Sequence, residues 1–465
     1  MPKQVYLISA VFVIISAFGN YLIEISSAFL TLIFIFKLFW KKGVPPVILA
    51  GVFFQWFAVT SGYIYLSLSS AEMVDLLWRP EYSLDFINET YYYSIVGIII
   101  FSIGTWHATK NIKYSSISRE LLEKYDTKKA IIMYSAFSFG AGIVLKILTS
   151  IVPGLAAPLT TLLYFKWVLL FLVVNLAFVK NEYKKMVLSI ILFEVLLGFT
   201  GFFSSFKDIL ILFPIIFITN QRIDNPKNIM QIVFIAILLF NLGVVWTAVK
   251  EEYREYLSGG RDSQVVRVSK LEAFNKFTDL VSNVTSEDYS EGIEGMIKRF
   301  FFLEYFSATV KNIPQSAPHT GGKYWIGALE HIFMPRILFP NKESIDDSEQ
   351  TRELTGIQEV SGAESGVSIT TGYFASAYAD YGPVYMYIPI YLLGYLLGFV
   401  YKFFIKKIDN PLWAYGFLIP MYFLFNIFSK NIVKISGYTF MYLIVFSLII
   451  SFALPIVDKR LLRTL

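Results

Sequence analysis

Lysine and arginine recur in this chain where apolar segments give way to polar turns. Lys146, Lys166, Lys207, Lys430 and Lys434 stand beside hydrophobic runs, and Lys250, Arg254, Arg261 and Arg267 follow one directly. Arg336 and Lys342 lie in Met334-Pro335-Arg336-Ile337-Leu338-Phe339-Pro340-Asn341-Lys342, where two prolines restrict the backbone around them. A guanidinium holds phosphate oxygens through paired hydrogen bonds, and a lysine ammonium acts on them as a point charge. A ring of such groups suits an anion, with a lipid-borne diphosphate the strongest candidate. The alternative for each cation is a side chain that snorkels from a helix end to water. For one or two of them it is pairing with Glu24 or Glu194. Group transfer also needs a proton acceptor, and His331, Glu364 and Asp380 lie close to the Pro-Arg segment in sequence. A lone loop histidine is more often a surface residue than a base.

The segments that must position these groups are apolar. The 465 residues are 55% hydrophobic, 18% aromatic and only 16% charged, against about 25% charged in a soluble domain. Hydrophobic runs of about 20 residues, enough for a roughly 30 Å hydrocarbon core, recur from Val5 to Val457. An all-α polytopic membrane protein is expected, and soluble enzymes, nucleic-acid binders and secreted domains are excluded. There is no cysteine, so a disulfide, a thiolate metal site and a cysteine nucleophile are excluded too. The run Val5–Phe18 has no small-residue cleavage site after it and reads as a first helix.

Twelve spans are expected, near 4–19, 21–40, 45–68, 90–107, 129–151, 158–179, 186–203, 207–220, 229–249, 383–401, 411–428 and 437–457. With the N terminus inside, the cytoplasmic segments hold twenty Lys and Arg, and the short outer loops hold only Arg79, Lys207, Lys430 and Lys434. The positive-inside rule then puts both termini in the cytoplasm of a multi-pass inner-membrane protein. Three regions follow: 1–249 with nine spans, a large extracytoplasmic loop at 250–382, and 383–465 with three spans and a cytoplasmic tail. The loop carries 13 basic and 20 acidic residues, net −7, while the rest of the chain is +12.

That loop has helical periodicity. Val268, Leu271, Phe274, Phe277 and Val281 share one face, a second stretch runs from Ile293 to Phe306, and a third from Tyr324 to Phe333 after Gly321-Gly322. These helices are expected to pack on each other and on the membrane face. The Gly-, Ser- and Thr-rich stretch from Gly356 to Gly372 then leads through Tyr378-Ala379-Asp380-Tyr381-Gly382 into the tenth span. It reads equally as a substrate rim and as an ordinary loop. His319 lies in the same region, and His107 falls at a cytoplasmic helix end.

No H-E-x-x-H, G-x-S-x-G, Walker loop or G-x-G-x-x-G occurs, which disfavours a metalloprotease, a serine hydrolase and a nucleotide-driven pump. No internal repeat relates the segments before and after the loop, which disfavours a two-halved transporter. Four patches instead resemble the O-antigen or oligosaccharide repeat-unit polymerases of the Wzy type. They are Gly201-Phe202-Phe203-Ser204-Ser205-Phe206-Lys207-Asp208, then Trp246 with Lys250 and Tyr253-Arg254, then Pro335–Lys342, then Tyr378–Gly382. About twelve spans, with one large outer loop before the last few, match that family's layout.

The resemblance implies a membrane-embedded glycosyltransferase of the C type, acting in lipopolysaccharide or capsule biosynthesis at the cell envelope. Its substrate would be an undecaprenyl-diphosphate-linked oligosaccharide, its setting the lipid bilayer, and its associates a chain-length regulator and a flippase. Neither cofactor nor metal is implied. Arg336, Arg254, Arg261 and Lys207 would stabilise the departing diphosphate, with Arg267, Arg299 and Lys342 in reserve. Glu364, His331 or Asp380 would take the acceptor's proton. Tyr253, Tyr324, Trp325 and Tyr378 could stack on sugars, with core packing the alternative. An O-antigen ligase using the same donor and a flippase of lipid-linked sugars are the other readings.

Overall fold

In the computed structural model, residues 3–16, 20–199, 206–219, 226–260, 266–334, 339, 342, 346–362 and 368–463 are described. Arg261, Arg336 and Glu364 lie outside them. The first thirteen helices are α1 (Lys3–Ser16), α2 (Leu22–Phe39), α3 (Val47–Leu66), α4 (Pro80–Ser83), α5 (Ile87–Thr109), α6 (Arg119–Glu123), α7 (Thr127–Ser135), α8 (Gly142–Ile151), α9 (Ala156–Leu163), α10 (Phe165–Lys180), α11 (Lys184–Phe199), α12 (Phe206–Thr219) and α13 (Pro226–Ser258). Five shorter ones follow: α14 (Lys270–Ser282), α15 (Ser286–Phe300), α16 (Glu304–Asn312), α17 (Lys323–Ile332) and α18 (Asp347–Thr355). The chain closes with α19 (Gly372–Tyr385), α20 (Tyr387–Lys407), α21 (Pro411–Leu418), α22 (Tyr422–Phe425), α23 (Ile432–Leu448) and α24 (Leu454–Leu461). Among the described residues there is no strand, only an isolated bridge between Tyr125 and Leu462.

Seven helical stretches among the described residues are long and apolar enough to cross a membrane: Leu22–Phe39, Val47–Leu66, Pro80–Thr109, Thr127–Thr149, Ala156–Lys180, Tyr387–Lys407 and Ile432–Leu461. The chain is therefore a helical membrane protein. The seven coincide with seven of the twelve expected spans. Gln4–Ile14 and Pro411–Phe425 are apolar but shorter.

Three local expectations change. The ninth hydrophobic segment continues as helix through Ser258, so Lys250 and Arg254 stand on α13 rather than in a loop at its mouth. The stretch expected as one helix from Ile293 to Phe306 is two, because the chain breaks at Phe301 between α15 and α16. Tyr378, Asp380 and Gly382 belong to the buried helix α19, not to an open rim. A kink at Gly382, whose φ of 73° glycine adopts readily, bends α19 near its end, and Met386 joins it to α20.

Close backbone approach explains the tightest crossing. On α20, Gly394 and Gly398 are four residues apart, the small-x-x-x-small spacing that lets membrane helices touch. A Cβ at Gly394 would lie 2.2 Å from the Phe101 carbonyl oxygen on α5, and one at Gly398 would lie 2.7 Å from that of Thr105. The Thr105 hydroxyl donates to the Gly394 carbonyl at 3.0 Å. Around this crossing the core is aromatic, with Tyr373, Tyr401, Trp413 and Phe404 buried.

Gly394→Ala is accordingly expected to destabilise the fold by about 1–3 kcal/mol through overpacking. Gly437→Ala on α23, where an added Cβ meets nothing within 4 Å, should be neutral or gain up to about 1 kcal/mol. Thermal unfolding of the two variants in detergent checks the contrast.

Candidate functional site

The site starts from one face of α13. Gly243, Thr247, Lys250 and Arg254 follow each other at steps of four, three and four residues, so they line up along the helix. The face of α15 that meets them carries Gly292, Gly295 and Met296. A Cβ at Gly292 would stand 2.8 Å from the Val244 carbonyl oxygen, and one at Gly295 would touch the Thr247 methyl at 3.3 Å. The Met296 sulfur stands where a Cβ on Gly243 would meet it at 3.0 Å, and the Tyr289 hydroxyl donates to Asn241 Oδ1 at 2.6 Å. Thr285 and Asp288 form a capping box that starts α15.

The other end of α15 is anchored on the membrane domain. Phe301 packs edge-on to Tyr63, and the Phe302 amide donates to the Ala58 carbonyl at 2.9 Å. Gly62 leaves room for the Phe301 ring, which a Cβ there would meet at 2.6 Å. Arg299, in the last turn of α15, is thus fixed from both sides.

This packing gathers four cations: Lys207 at the start of α12, Lys250 and Arg254 on α13, and Arg299 on α15. Each acts electrostatically on at least one of the others. Lys250 is pushed down to about 8, first by burial and then by Arg299, Arg254 and Lys207, with Glu251 acting the other way. Burial also lowers Arg254, and burial together with Arg254 lowers Arg299. Yet Arg299 and Lys207 are open to water. Their charge is therefore presented to solvent, where an anion could reach it.

The remaining cations of the expected ring are held differently. Lys166 pairs with Glu194 at 3.5 Å, the buried alternative anticipated for such a residue. Lys434 is bonded to the buried Asp347. Lys430 donates to the Phe423 carbonyl at 2.7 Å, and burial pushes it down to about 8 against the pull of Asp208. Arg267 is exposed on the segment before α14, with its amide donating to the Leu257 carbonyl at 2.8 Å. Lys342 donates from Nζ to the carbonyls of His331 at 2.5 Å and Met334 at 2.8 Å, and so closes the C-terminal end of α17. Glu24 accepts from the Tyr92 hydroxyl at 2.8 Å. The side chain of Lys146 is outside the description.

Of the expected proton acceptors, Asp380 is buried. Its carboxylate accepts from the Thr320 hydroxyl, from the Tyr324 amide at 3.1 Å and from the Trp325 amide at 2.9 Å. It caps the N terminus of α17. His331 sits in the last turn of that helix, half-buried. The aromatic candidates serve as core. Tyr253 packs with Trp246 and Phe277 under α14, and Tyr324 and Tyr378 are buried.

The sequence puts Lys250 in the basic ring and in the Trp246–Arg254 patch, but the role on the departing diphosphate goes to Lys207 and Arg254, with Arg299 in reserve, and not to Lys250. The heptad-like spacing of 243, 247, 250 and 254 was the available signal, and it becomes legible only if the helix is known to run past Val249. The Lys434–Asp347 pair, 87 residues apart, left no trace in local pattern.

The sequence model of one protein family, described as "Domain of unknown function (DUF8712)", matches residues 44–461. The chain belongs to this family. No curated protein and no solved structure matches it. The DUF8712 match spans α3 to α24, so all four clustered cations fall within the family's domain.

If the cluster is an anion site, sulfate, whose own charge is constant over this range, should raise the melting temperature more at about pH 7 than at about pH 9.5. Lys250 is charged below about 8 and loses its charge above it. Without anion, the sign is opposite for stability. A lysine lowered in the fold makes it more stable as pH rises from about 8 towards the ordinary lysine value. Lys250→Met should flatten both trends, as read by thermal shift in detergent across pH.

Proposed function

We propose that this protein is a membrane glycosyltransferase that polymerises undecaprenyl-diphosphate-linked oligosaccharide repeat units at the outer face of the cytoplasmic membrane. The growing glycan passes to the non-reducing end of a new lipid-linked unit. Twelve spans with both termini cytoplasmic are part of the proposal, since they put α12–α15 on the side where such a donor is presented. A chain-length regulator and a flippase are its expected associates.

The single observation that supports this reading is that Lys207, Lys250, Arg254 and Arg299, from three helices, lie close enough to act on one another electrostatically. In the reaction, the bond between the donor's anomeric carbon and the diphosphate oxygen breaks, and its electron pair leaves on the diphosphate. The acceptor hydroxyl oxygen bonds that carbon and surrenders its proton to a base. Charge therefore builds on the diphosphate, and cations already in position stabilise it without reorganising. Lys207, Arg254 and Arg299 carry that role, and Lys250 joins them. Arg261 and Arg336 keep the role they were given from the sequence. Glu364 and His331 are the proton acceptors to test, because the Asp380 carboxylate is occupied by the end of α17.

Purified protein in liposomes, given a defined undecaprenyl-diphosphate-linked repeat unit, should produce a ladder of polymers. Arg254→Ala and Arg299→Ala should each slow the ladder by about 100- to 1000-fold, the usual loss for one preorganised donor, with unchanged melting. A ladder unaffected by both substitutions would remove the cluster from the chemistry. Transfer to a core lipid in place of a ladder would identify a ligase. No product from folded protein with either acceptor would leave transport of lipid-linked sugars as the reading.

A further inference from the structure

Helix α17 is short, amphipathic and built unlike its neighbours. One arc of it, carrying Tyr324 and Ala328, is buried against the Asp380 network. A second arc carries Ile326, Leu329 and Phe333, spaced three and four residues apart on one face. These three are 51%, 54% and 74% exposed, although all are large and apolar. Lys323 and Glu330 occupy a third arc, also exposed, and Lys323 bonds Glu353.

Two observations say what covers the apolar arc. First, α17 packs along α23, the start of the membrane-spanning stretch Ile432–Leu461. Phe333 meets Phe440 edge-on at 6.5 Å. Phe440 lies eight residues into α23, or about 12 Å along it at 1.5 Å per residue. Ile444 and Leu448, further along the same helix, are exposed as well. The apolar arc is therefore continuous with a surface that faces lipid. Second, the polar ends of α17 are closed by protein. Asp380 takes the amides of Tyr324 and Trp325, and Lys342 takes the carbonyls of His331 and Met334. Water can supply partners to an exposed helix end and hydrocarbon cannot, so ends closed by protein are compatible with contact with lipid.

We propose that α17 lies in the membrane–water interface at the Ile432 end of α23, with Ile326, Leu329 and Phe333 immersed among lipid acyl chains and Lys323 and Glu330 turned to the headgroups and water. Interfacial helices of this kind bury their apolar face about 5–10 Å below the headgroups, and Phe440, which Phe333 meets, lies within the membrane-spanning stretch Ile432–Leu461. The inference rests on the membrane reading of α23 and not on the glycosyltransferase reading.

The chain has no cysteine, so single cysteines can be placed without background. Leu329→Cys, Phe333→Cys, Lys323→Cys and Glu330→Cys would each carry a nitroxide, in phosphatidylethanolamine–phosphatidylglycerol liposomes. Positions 329 and 333 should relax more with lipid-soluble oxygen than with a water-soluble nickel chelate, and 323 and 330 the reverse. Equal access of the nickel chelate to all four would overturn the proposal by placing the arc in water. Protection of 329 and 333 from both reagents would overturn it by showing a protein partner on the arc. A variant that melts early is replaced by Ile326→Cys, which reads the same arc.

Discussion

A Cβ on residue 292 would stand 2.8 Å from the Val244 carbonyl oxygen, so glycine there brings the backbones of α13 and α15 into contact. Because α15 is also anchored to α3 through Phe301 and Phe302, the backbone of Arg299 is placed by two contacts. Lys250 and Arg254 are one to three turns beyond the crossing on α13. The field of each charge falls on the others, and partial enclosure strengthens it relative to open water. Packing energy collected elsewhere in the molecule holds these like charges in place. An anion bound among them would offset the repulsion between these like charges.

The other cations show what the protein does with charge it does not expose. Lys166 with Glu194, and Lys434 with Asp347, are pairs with one partner largely removed from water. Breaking such a pair leaves an uncompensated charge in a low-dielectric setting, which is costly even when the intact pair contributes little. Residues of one chemical type, spread through the sequence at similar places relative to the apolar runs, thus divide into a clustered group and a group paired with carboxylates. Lys430, under the influence of Asp208, stands between the two, because Asp208 follows Lys207 directly and faces Lys166 as well. The clustered and paired groups are in this way neighbours rather than separate regions.

Helix ends follow a related rule. Asp380 and Lys342 were read from the sequence as groups for chemistry, a base and a phosphate ligand. In the fold they answer the unpaired amides and carbonyls of a single short helix. Glu304 does the same for the amides of Trp78 and Arg79, and burial raises its carboxyl above the usual range. Charged side chains in a polar, helix-rich segment beside a membrane have two employments, and the structural one claims several of them.

The residues by themselves determined that this is a helical membrane protein, because apolar runs of the required length are a local property and hydrocarbon admits few alternatives to the helix. They also determined the amphipathic periodicity of α14, α15 and α17 and the surplus of cations beside certain runs. Seven of the expected spans coincide with long apolar helices for this reason. Tertiary structure alone decided which cations stand together. Lys250 and Arg254 share a face of α13 by their four-residue spacing, but nothing in local spacing connects them with Lys207 or Arg299, on two other helices. It also decided that Lys434 meets Asp347 and that Asp380 faces the start of α17. Those pairings depend on how helix surfaces fit, through glycines at 292, 295, 394 and 398 and rings at 301 and 302, and such fit is a property of two segments at once.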